Sequence, residues 1–293
     1  MPVRLLATSS LILVICIALW VPLSQATQKP VAEFCVPLLY SPVNMYKRYQ
    51  PFCDYLTQHT PYRFELRICR NNKDAMHCLK RGKLQMALLE DIAFINAHDS
   101  IAAVPILKPL NDNGRPFVRS AIIVATNSPI RTVQDLKGRS FAFGPTHSIP
   151  GNLSARYFLF KRGVRLNDLS AHATMKSNAE VIKAVLGREW EAGAVIDSIA
   201  EQYAPQGIRI LAYSDPIPSS PIVVRADAPP RFVQAVVTAL LRLDRSDARH
   251  RSTMANWDRG IGNGFSPASA TDYRDLFRIY HAIPSGCGRG CHR

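Results

Sequence analysis

The chain has 293 residues, of which 47% are apolar, 9% aromatic and 20% charged, and its 36 Lys and Arg against 22 Asp and Glu give a formal charge of +14. These values exclude an intrinsically disordered chain, a collagen-like repeat and a polytopic membrane protein, and they allow one large or two ordinary domains. A chain this long buries a full core without metal or disulfide staples, so its cysteines are optional for folding.

Residues 1–26 open with Arg4, run through an apolar stretch at 11–21 and end in Ser24-Gln25-Ala26. A basic start, a short apolar core and small residues at alternate positions predict a secretory signal cleaved after Ala26. The strictly apolar core is about half of the ~20 residues that span a bilayer. Cys16 lacks the preceding small residue of a lipoprotein signal. The basic excess is scattered, with clusters at Lys161-Arg162 and in 242–251 and 289–293. No basic stripe or aromatic stacking motif accompanies it, so nucleic acid is not an expected partner. Net charge alone does not choose between an anionic ligand, a membrane surface and a plain solvated exterior.

After the signal an apolar strand is expected over 31–40, stopped at Ser41-Pro42, and Tyr49, Phe52, Cys53 and Leu56 then fall at helical spacing within 45–57. A second strand reads 62–69, followed by the polar turn Arg70-Asn71-Asn72-Lys73, a helix over 74–80 closed by Gly82, and a strand over 84–89. The next strand is 120–125, then a short helical turn at 133–138, a strand at 140–143, a turn over 144–150 and a helix over 151–162. A helix at 180–186, strands at 192–196, 208–213 and 221–225, and helices at 231–243 and 270–281 complete the pattern. Strands alternating with helices predict parallel βαβ units. The expected fold class is α/β: two βα lobes joined by crossing hinge strands, with a ligand cleft between them. The expected boundaries are a signal at 1–26, lobe 1 at 27–120, lobe 2 at 121–211, a return strand and C-terminal helices packing on lobe 1 at 212–280, and a cysteine-containing tail at 281–293.

Six cysteines follow the signal, Cys35, Cys53, Cys69, Cys78, Cys287 and Cys291. They allow fifteen complete pairings, none of which the sequence selects. Cys69 and Cys78 flank a short polar turn and are plausible partners. In the tail CGRGCHR the spacing is one residue longer than haem attachment uses, and zinc would need further ligands, so a disulfide or a disordered end is expected. No metal and no cofactor is expected anywhere in the chain. Enzyme signatures are also missing: there is no Gly-x-Ser-x-Gly, no His-Glu-x-x-His, no phosphate-binding lysine loop and no compact His/Asp cluster.

Asp135-Leu136-Lys137-Gly138-Arg139-Ser140-Phe141-Ala142-Phe143-Gly144, then Ser148 and Gly151, resembles the signature of the periplasmic phosphate/phosphite/phosphonate-binding proteins of ABC transporters. Tyr40-Ser41-Pro42, Ala184-Val185-Leu186 with Glu191-Ala192-Gly193-Ala194-Val195, Ile217-Pro218 with Pro221-Ile222-Val223-Val224, and Gly264-Phe265-Ser266-Pro267 with Asp272-Tyr273 match in family order. The resemblance implies a type II periplasmic-binding-protein fold, a monomer whose hinged lobes close over a tetrahedral oxyanion and present it to a membrane permease. A strand, a Gly-containing turn and a helix start aim backbone amides and the positive helix end at an anion. Thr146, His147 and Ser148 are candidate side-chain donors there, although Ser before a helix also serves as a plain cap.

Departures fall at the positions that the resemblance gives to the ligand. Ile149 and Pro150 replace hydroxyl residues before the glycine, removing a hydroxyl pair and one backbone amide. Lys176-Ser177-Asn178 stands where Gly-Ser-His is common, Val118 replaces a tyrosine, and Glu90-Asp91 replaces Gly-Pro. Two carboxylates beside an oxyanion repel it unless protonated or turned away. The candidate ligand residues are Tyr40, Ser41, Asn71, Glu90, Asp91, Thr146, His147, Ser148, Lys176, Ser177, Asn178 and Asp197, the last equally readable as a helix cap. The altered pocket suits a small oxyanion, an uncharged solute, or a cation paired with Glu90, Asp91 and Asp197. A sensor module feeding a membrane kinase or a redox partner would have the same sequence.

Overall fold

The computed structural model describes residues 28–146 and 148–282; the expected signal at 1–26, His147 and the cysteines of the tail lie outside them. The first lobe begins with β1 (Val31–Pro37), α1 (Pro42–His59) and β2 (Arg63–Cys69). Pro42 does not merely stop the strand. It sits in the first turn of α1, where its missing N–H costs no helix bond. Met45, Tyr49, Phe52, Cys53 and Leu56 form the buried face of α1. α2 (Asn72–Lys80) is capped by Asn71, whose side chain accepts from Asp74 N–H at 2.9 Å, and Gly82 at φ +69° turns the chain out of it. Next come β3 (Met86–Leu88), α3 (Asp91–Ile101), β4 (Val104–Pro109) and the two-residue β5 (Phe117–Val118).

The second lobe holds β6 (Ser120–Ala125), β7 (Ser140–Phe143), a π-helical turn over Ile149–Leu153 leading into α4 (Ser154–Lys161), β8 (Ala171–Thr174), α5 (Asn178–Leu186), β9 (Ala192–Ile196), α6 (Asp197–Tyr203) and β10 (Ile208–Tyr213). The chain returns through β11 (Ile217–Pro218) to β12 (Ile222–Val224), α7 (Pro230–Leu241), α8 (Ala248–Met254), β13 (Phe265–Pro267) and α9 (Arg274–Ala282).

Two sheets and a short pair result. The first sheet has the order β13-β4-β12-β3-β1-β2, the second β10-β6-β9-β7-β8, and β5 pairs with β11 between them. The sheets are mixed rather than purely parallel: β1 is parallel to β2 and β3, and β7 to β8 and β9, but β12 runs antiparallel to both β3 and β4, and β6 to both β9 and β10. β13 is also antiparallel to β4, so two strands of the first sheet, β12 and β13, run against the rest, and one strand of the second, β6. In the first lobe one core lies under α1 and α7, where Phe52 packs edge-on to Trp257 at 5.1 Å, and a second lies under α2, α3 and α9. The second lobe likewise has a core on each face of its sheet.

The cysteine expectation needs correction. Cys35 is bonded to Cys69, not Cys69 to Cys78, because β1 and β2 are parallel neighbours that bring those two Cα atoms to 6.2 Å. Cys78 is buried on α2 as a free thiol in the same apolar cluster, and Cys53 is a second buried free thiol, its pKa pushed up to about 12 by burial. Among the described residues no helix is long and apolar enough to cross a membrane, and no group of three or more His, Cys, Asp or Glu is placed to hold a metal ion.

Candidate functional site

Strand ends from both lobes and the β5–β11 pair surround a cavity of about 630 Å³. A cleft of this size is typical of small-molecule sites. Lobe 1 contributes Val36, Pro37, Leu39 and Tyr40 from the end of β1 and its loop, Leu88, Glu90 and Asp91 from β3 and the start of α3, and Asp112 from the loop after β4. Lobe 2 contributes Pro145, Ser148, Ile149 and Pro150 from the turn after β7, Asn178 from the start of α5, and Ile196 and Ser198 around the start of α6. Ser219 and Ser220 come from the returning chain, and Asp258, Arg259 and Gly260 from the loop after α8.

The lobe 2 corner is built by two glycines. A Cβ on Gly144 would lie 3.0 Å from the Cα of Gly151, and one on Gly151 would meet Ser148 Oγ at 3.0 Å and Asn178 Oδ1 at 3.3 Å. This close crossing, sealed by Gly144 N–H donating to Gly151 O at 2.7 Å, draws Ser148 and Asn178 together on the wall. Buried Asn152 fastens the turn from behind: its Nδ2 donates to Gly144 O at 2.8 Å, and its Oδ1 accepts from Arg156 Nε at 2.7 Å. Ser148 Oγ accepts from Gly151 N–H at 3.1 Å, so the side chain acts as the helix cap as well as a wall group. Asn152 and Leu153 N–H donate to Ser148 O, and Pro150 has no N–H. The turn therefore offers an incoming anion fewer amides than an ordinary helix start. Asn178 Oδ1 is buried without a hydrogen-bond partner among the described residues.

The lobe 1 wall is acidic. Asp258 is paired with Arg48 at 3.3 Å, and Arg48 lies over the Tyr40 ring at 4.5 Å. Burial and the neighbouring Asp258 raise the Tyr49 phenol well above its ordinary pKa. Arg259 is the wall's basic residue among those described, and it is bound to Asp112. Glu90 accepts from Asn72 Nδ2 at 3.1 Å, and Asp91 accepts from Ser220 Oγ at 2.7 Å, with no cation bonded to either carboxylate among the described contacts.

Burial pushes Asp91 up to about 6, with Glu90 adding to the rise and the Ser220 bond opposing it. A carboxyl whose folded pKa exceeds its unfolded value costs stability once ionised, so stability falls as pH rises from about 4 through 6. Asp91→Asn is therefore expected to raise the melting temperature at pH 7.5, by up to about 3 kcal/mol of unfolding free energy. The gain should fade as pH drops toward 4. Melting curves of the two proteins across this range check it, and a gain that persists unchanged at pH 4 refutes it.

Of the residues expected at the site, the structure gathers Tyr40, Glu90, Asp91, Ser148 and Asn178 around one cavity, the first three from lobe 1 and the last two from lobe 2. Ser41 is exposed at the start of α1, and Asn71 is spent capping α2. Thr146 and Lys176 are exposed away from the wall, and Ser177 caps α5 by accepting from Glu180 N–H at 3.1 Å. Asp197 is 2% exposed; its N–H donates to Arg119 O, and its carboxylate, with a pKa raised by burial, accepts from Ser198 N–H. It is the first residue of α6 and not its side-chain cap, and its neighbours Ile196 and Ser198 line the cavity instead. His147 lies outside the described residues. Sequence reasoning missed Asp112, Ser220, Asp258 and Arg259. Only the polar Ser219-Ser220 and Asp258-Arg259-Gly260 turns hinted at them.

Residues 34–273 match the family described as "ABC transporter, phosphonate, periplasmic substrate-binding protein". Among solved structures the chain is similar to a binding-protein component of an ABC phosphonate transporter from Pseudomonas aeruginosa, at 18% identity over 86% of each chain with a TM-score of 0.59. It is also similar to a Prochlorococcus marinus protein in complex with methylphosphonate, at 18% identity over 87% of this chain and 98% of that one, TM-score 0.63. A Xanthomonas citri protein bound to a chloride ion is similar at 19% identity over 86% and 99%, TM-score 0.67. At these identities the likeness concerns the fold, that of type II periplasmic binding proteins.

Proposed function

From the premise that the chain belongs to the family of phosphonate-binding periplasmic substrate-binding proteins of ABC transporters, we propose that it captures a small solute with an oxyanion head in the cavity between its lobes and delivers it to a membrane permease. The observation that carries this reading is the Ser148 turn, which opens a helix on the cavity wall and is held there by the Gly144–Gly151 crossing. The positive end of the turn and α4 favours negative charge at that corner. Tyr40 and Leu39, both half-exposed on the opposite wall, offer apolar surface to the rest of the solute.

Glu90 and Asp91 favour a second reading, a solute that carries a cationic or strongly hydrogen-bond-donating group. In that case the protein serves a partner, transporting or signalling, through a ligand other than a simple phosphonate. Melting temperature measured with phosphate, phosphite, methylphosphonate, sulfate and arsenite separates the two readings. Binding of one anion at a hundred times its Kd stabilises by about 2.7 kcal/mol, a rise on the order of 5–10 °C for a chain this size. If all five leave the curve unmoved while an organic cation or a neutral solute raises it, the oxyanion reading is wrong.

A further inference from the structure

Five of the eleven large apolar side chains that stay exposed among the described residues fall within 38–46: Leu38, Leu39, Tyr40, Val43 and Tyr46. Exposed apolar residues scattered singly need no explanation, but a run of them marks a surface that something covers. Leu39 and Tyr40, 47% and 41% exposed, also line the cavity, so the patch begins at the solute site. It continues onto the first turns of α1, where Val43 is 76% exposed and Tyr46, three residues on, is its neighbour on the helix surface. This lip is braced. Leu38 N–H donates to Cys69 O at 2.9 Å beside the Cys35–Cys69 bond, and the Tyr40 ring is held under Arg48, which pairs with the buried Asp258. Apolar surface already fixed in water loses little freedom when a ligand covers it. Arg259 is the basic residue of the described lining, and Asp112 holds it. A second anionic group on the solute therefore finds no free cation here, whereas an apolar chain needs none.

We propose that the solute is an amphiphile: its oxyanion head sits at the Ser148 turn, and its aliphatic tail leaves the cavity over Leu39 and Tyr40 and lies along Val43 and Tyr46. This deepens the oxyanion reading above and rests on it. A cavity of about 630 Å³ is of the size that holds drug-sized ligands. A solute as small as methylphosphonate fills one corner of it and leaves the lip uncovered. Glu90 and Asp91 disfavour a further negative charge in the cavity, and an alkyl chain brings none. Each methylene that the lip removes from water is expected to tighten binding about threefold.

Titration calorimetry with methyl-, butyl- and octylphosphonate, each below its micelle concentration, reads the tail directly. Octylphosphonate is expected to bind as one molecule per chain, on the order of a hundredfold more tightly than butylphosphonate when all four added methylenes are covered. Leu39→Ser should lower the ratio of octyl- to methylphosphonate affinity about tenfold, and Val43→Ser about threefold. Phe160→Ser, at an exposed apolar side chain of α4 outside the cavity lining, should leave that ratio unchanged. All three substitutions fall on exposed side chains, so the variants are expected to fold, and their melting curves check this. Equal affinity for the three probes overturns the tail and leaves the oxyanion reading standing, as does an octyl gain that survives in Leu39→Ser. Several octylphosphonate molecules per chain would be plain adsorption and would also overturn it. A ligand-free chain that sediments as a dimer and becomes a monomer in Val43→Ser would assign the patch to a second copy instead. If none of the three probes binds, the oxyanion reading falls and the amphiphile falls with it.

Discussion

Replacing Ser148 by Asp should lower affinity for methylphosphonate by on the order of a hundred- to a thousandfold while leaving the fold at least as stable as before. The two effects separate because Ser148 does two things. As the cap it accepts from Gly151 N–H at 3.1 Å, and an aspartate accepts there equally well and is favoured by the helix end. As a wall group it stands where the anion would sit, and a unit charge about 4 Å from another of the same sign costs about 4 kcal/mol at an effective dielectric of 20. Ser148→Ala should do the reverse: it loses a cap worth about 1 kcal/mol and spares most of the affinity. Titration calorimetry together with melting curves reads both properties. Unchanged affinity in Ser148→Asp would place the ligand away from this corner, and tighter binding of an organic cation would favour the Glu90–Asp91 reading.

Cys35→Ser should destabilise the protein by about 3–4 kcal/mol, the loop-closure value for two cysteines 34 residues apart, which is on the order of 10 °C in melting temperature. Cys69→Ser should cost the same, because each removes the same crosslink. Cys78→Ser should cost much less, since it replaces a small buried group and breaks no bond. Had Cys69 been joined to Cys78, Cys35→Ser would be the mild variant. Peptide mapping after alkylation should find Cys35 joined to Cys69 and alkyl groups on Cys53 and Cys78. The crosslink also bears on binding. Leu38 N–H donates to Cys69 O at 2.9 Å, so the bonded strand ends set the loop that carries Leu39 and Tyr40 to the cavity.

The strands were most legible where a short apolar run is bounded by glycine or charge: the ranges expected for β7, β9 and β10 agree residue for residue with the structure. α3 and β4 went unread. Ala93, Phe94, Ile95 and Ala97 of α3 are all buried, so the helix faces apolar neighbours on several sides and shows little periodicity. β4 carries a proline near each end, Pro105 and Pro109, which reads as loop. At the site, the family resemblance singled out the Ser148 turn and Glu90-Asp91, and both line the cavity because each follows the end of a strand, β7 and β3. Asp258 and Arg259 reach the cavity only because the chain after α8 folds back over lobe 1, a long-range arrangement that no local pattern encodes. The Cys35–Cys69 bond is hidden for the same reason: its partners meet through strand pairing, while Cys78 is nearer in sequence and carried on a helix.

The strand order of the first sheet imposes a timetable on the nascent molecule. β12 lies between β3 and β4, so β4 has no neighbour on that side until residues 222–224 have been made, and β13 arrives later still. The second sheet is drawn entirely from residues 120–213. One lobe can thus mature as an uninterrupted stretch of chain, while the other must wait, half assembled, for its missing strand to return from the far side. Long-range closure of this kind is the slow step in folding. The interval before it is when the apolar edge of β4 is bare, and when an exported polypeptide most needs protection from its own copies.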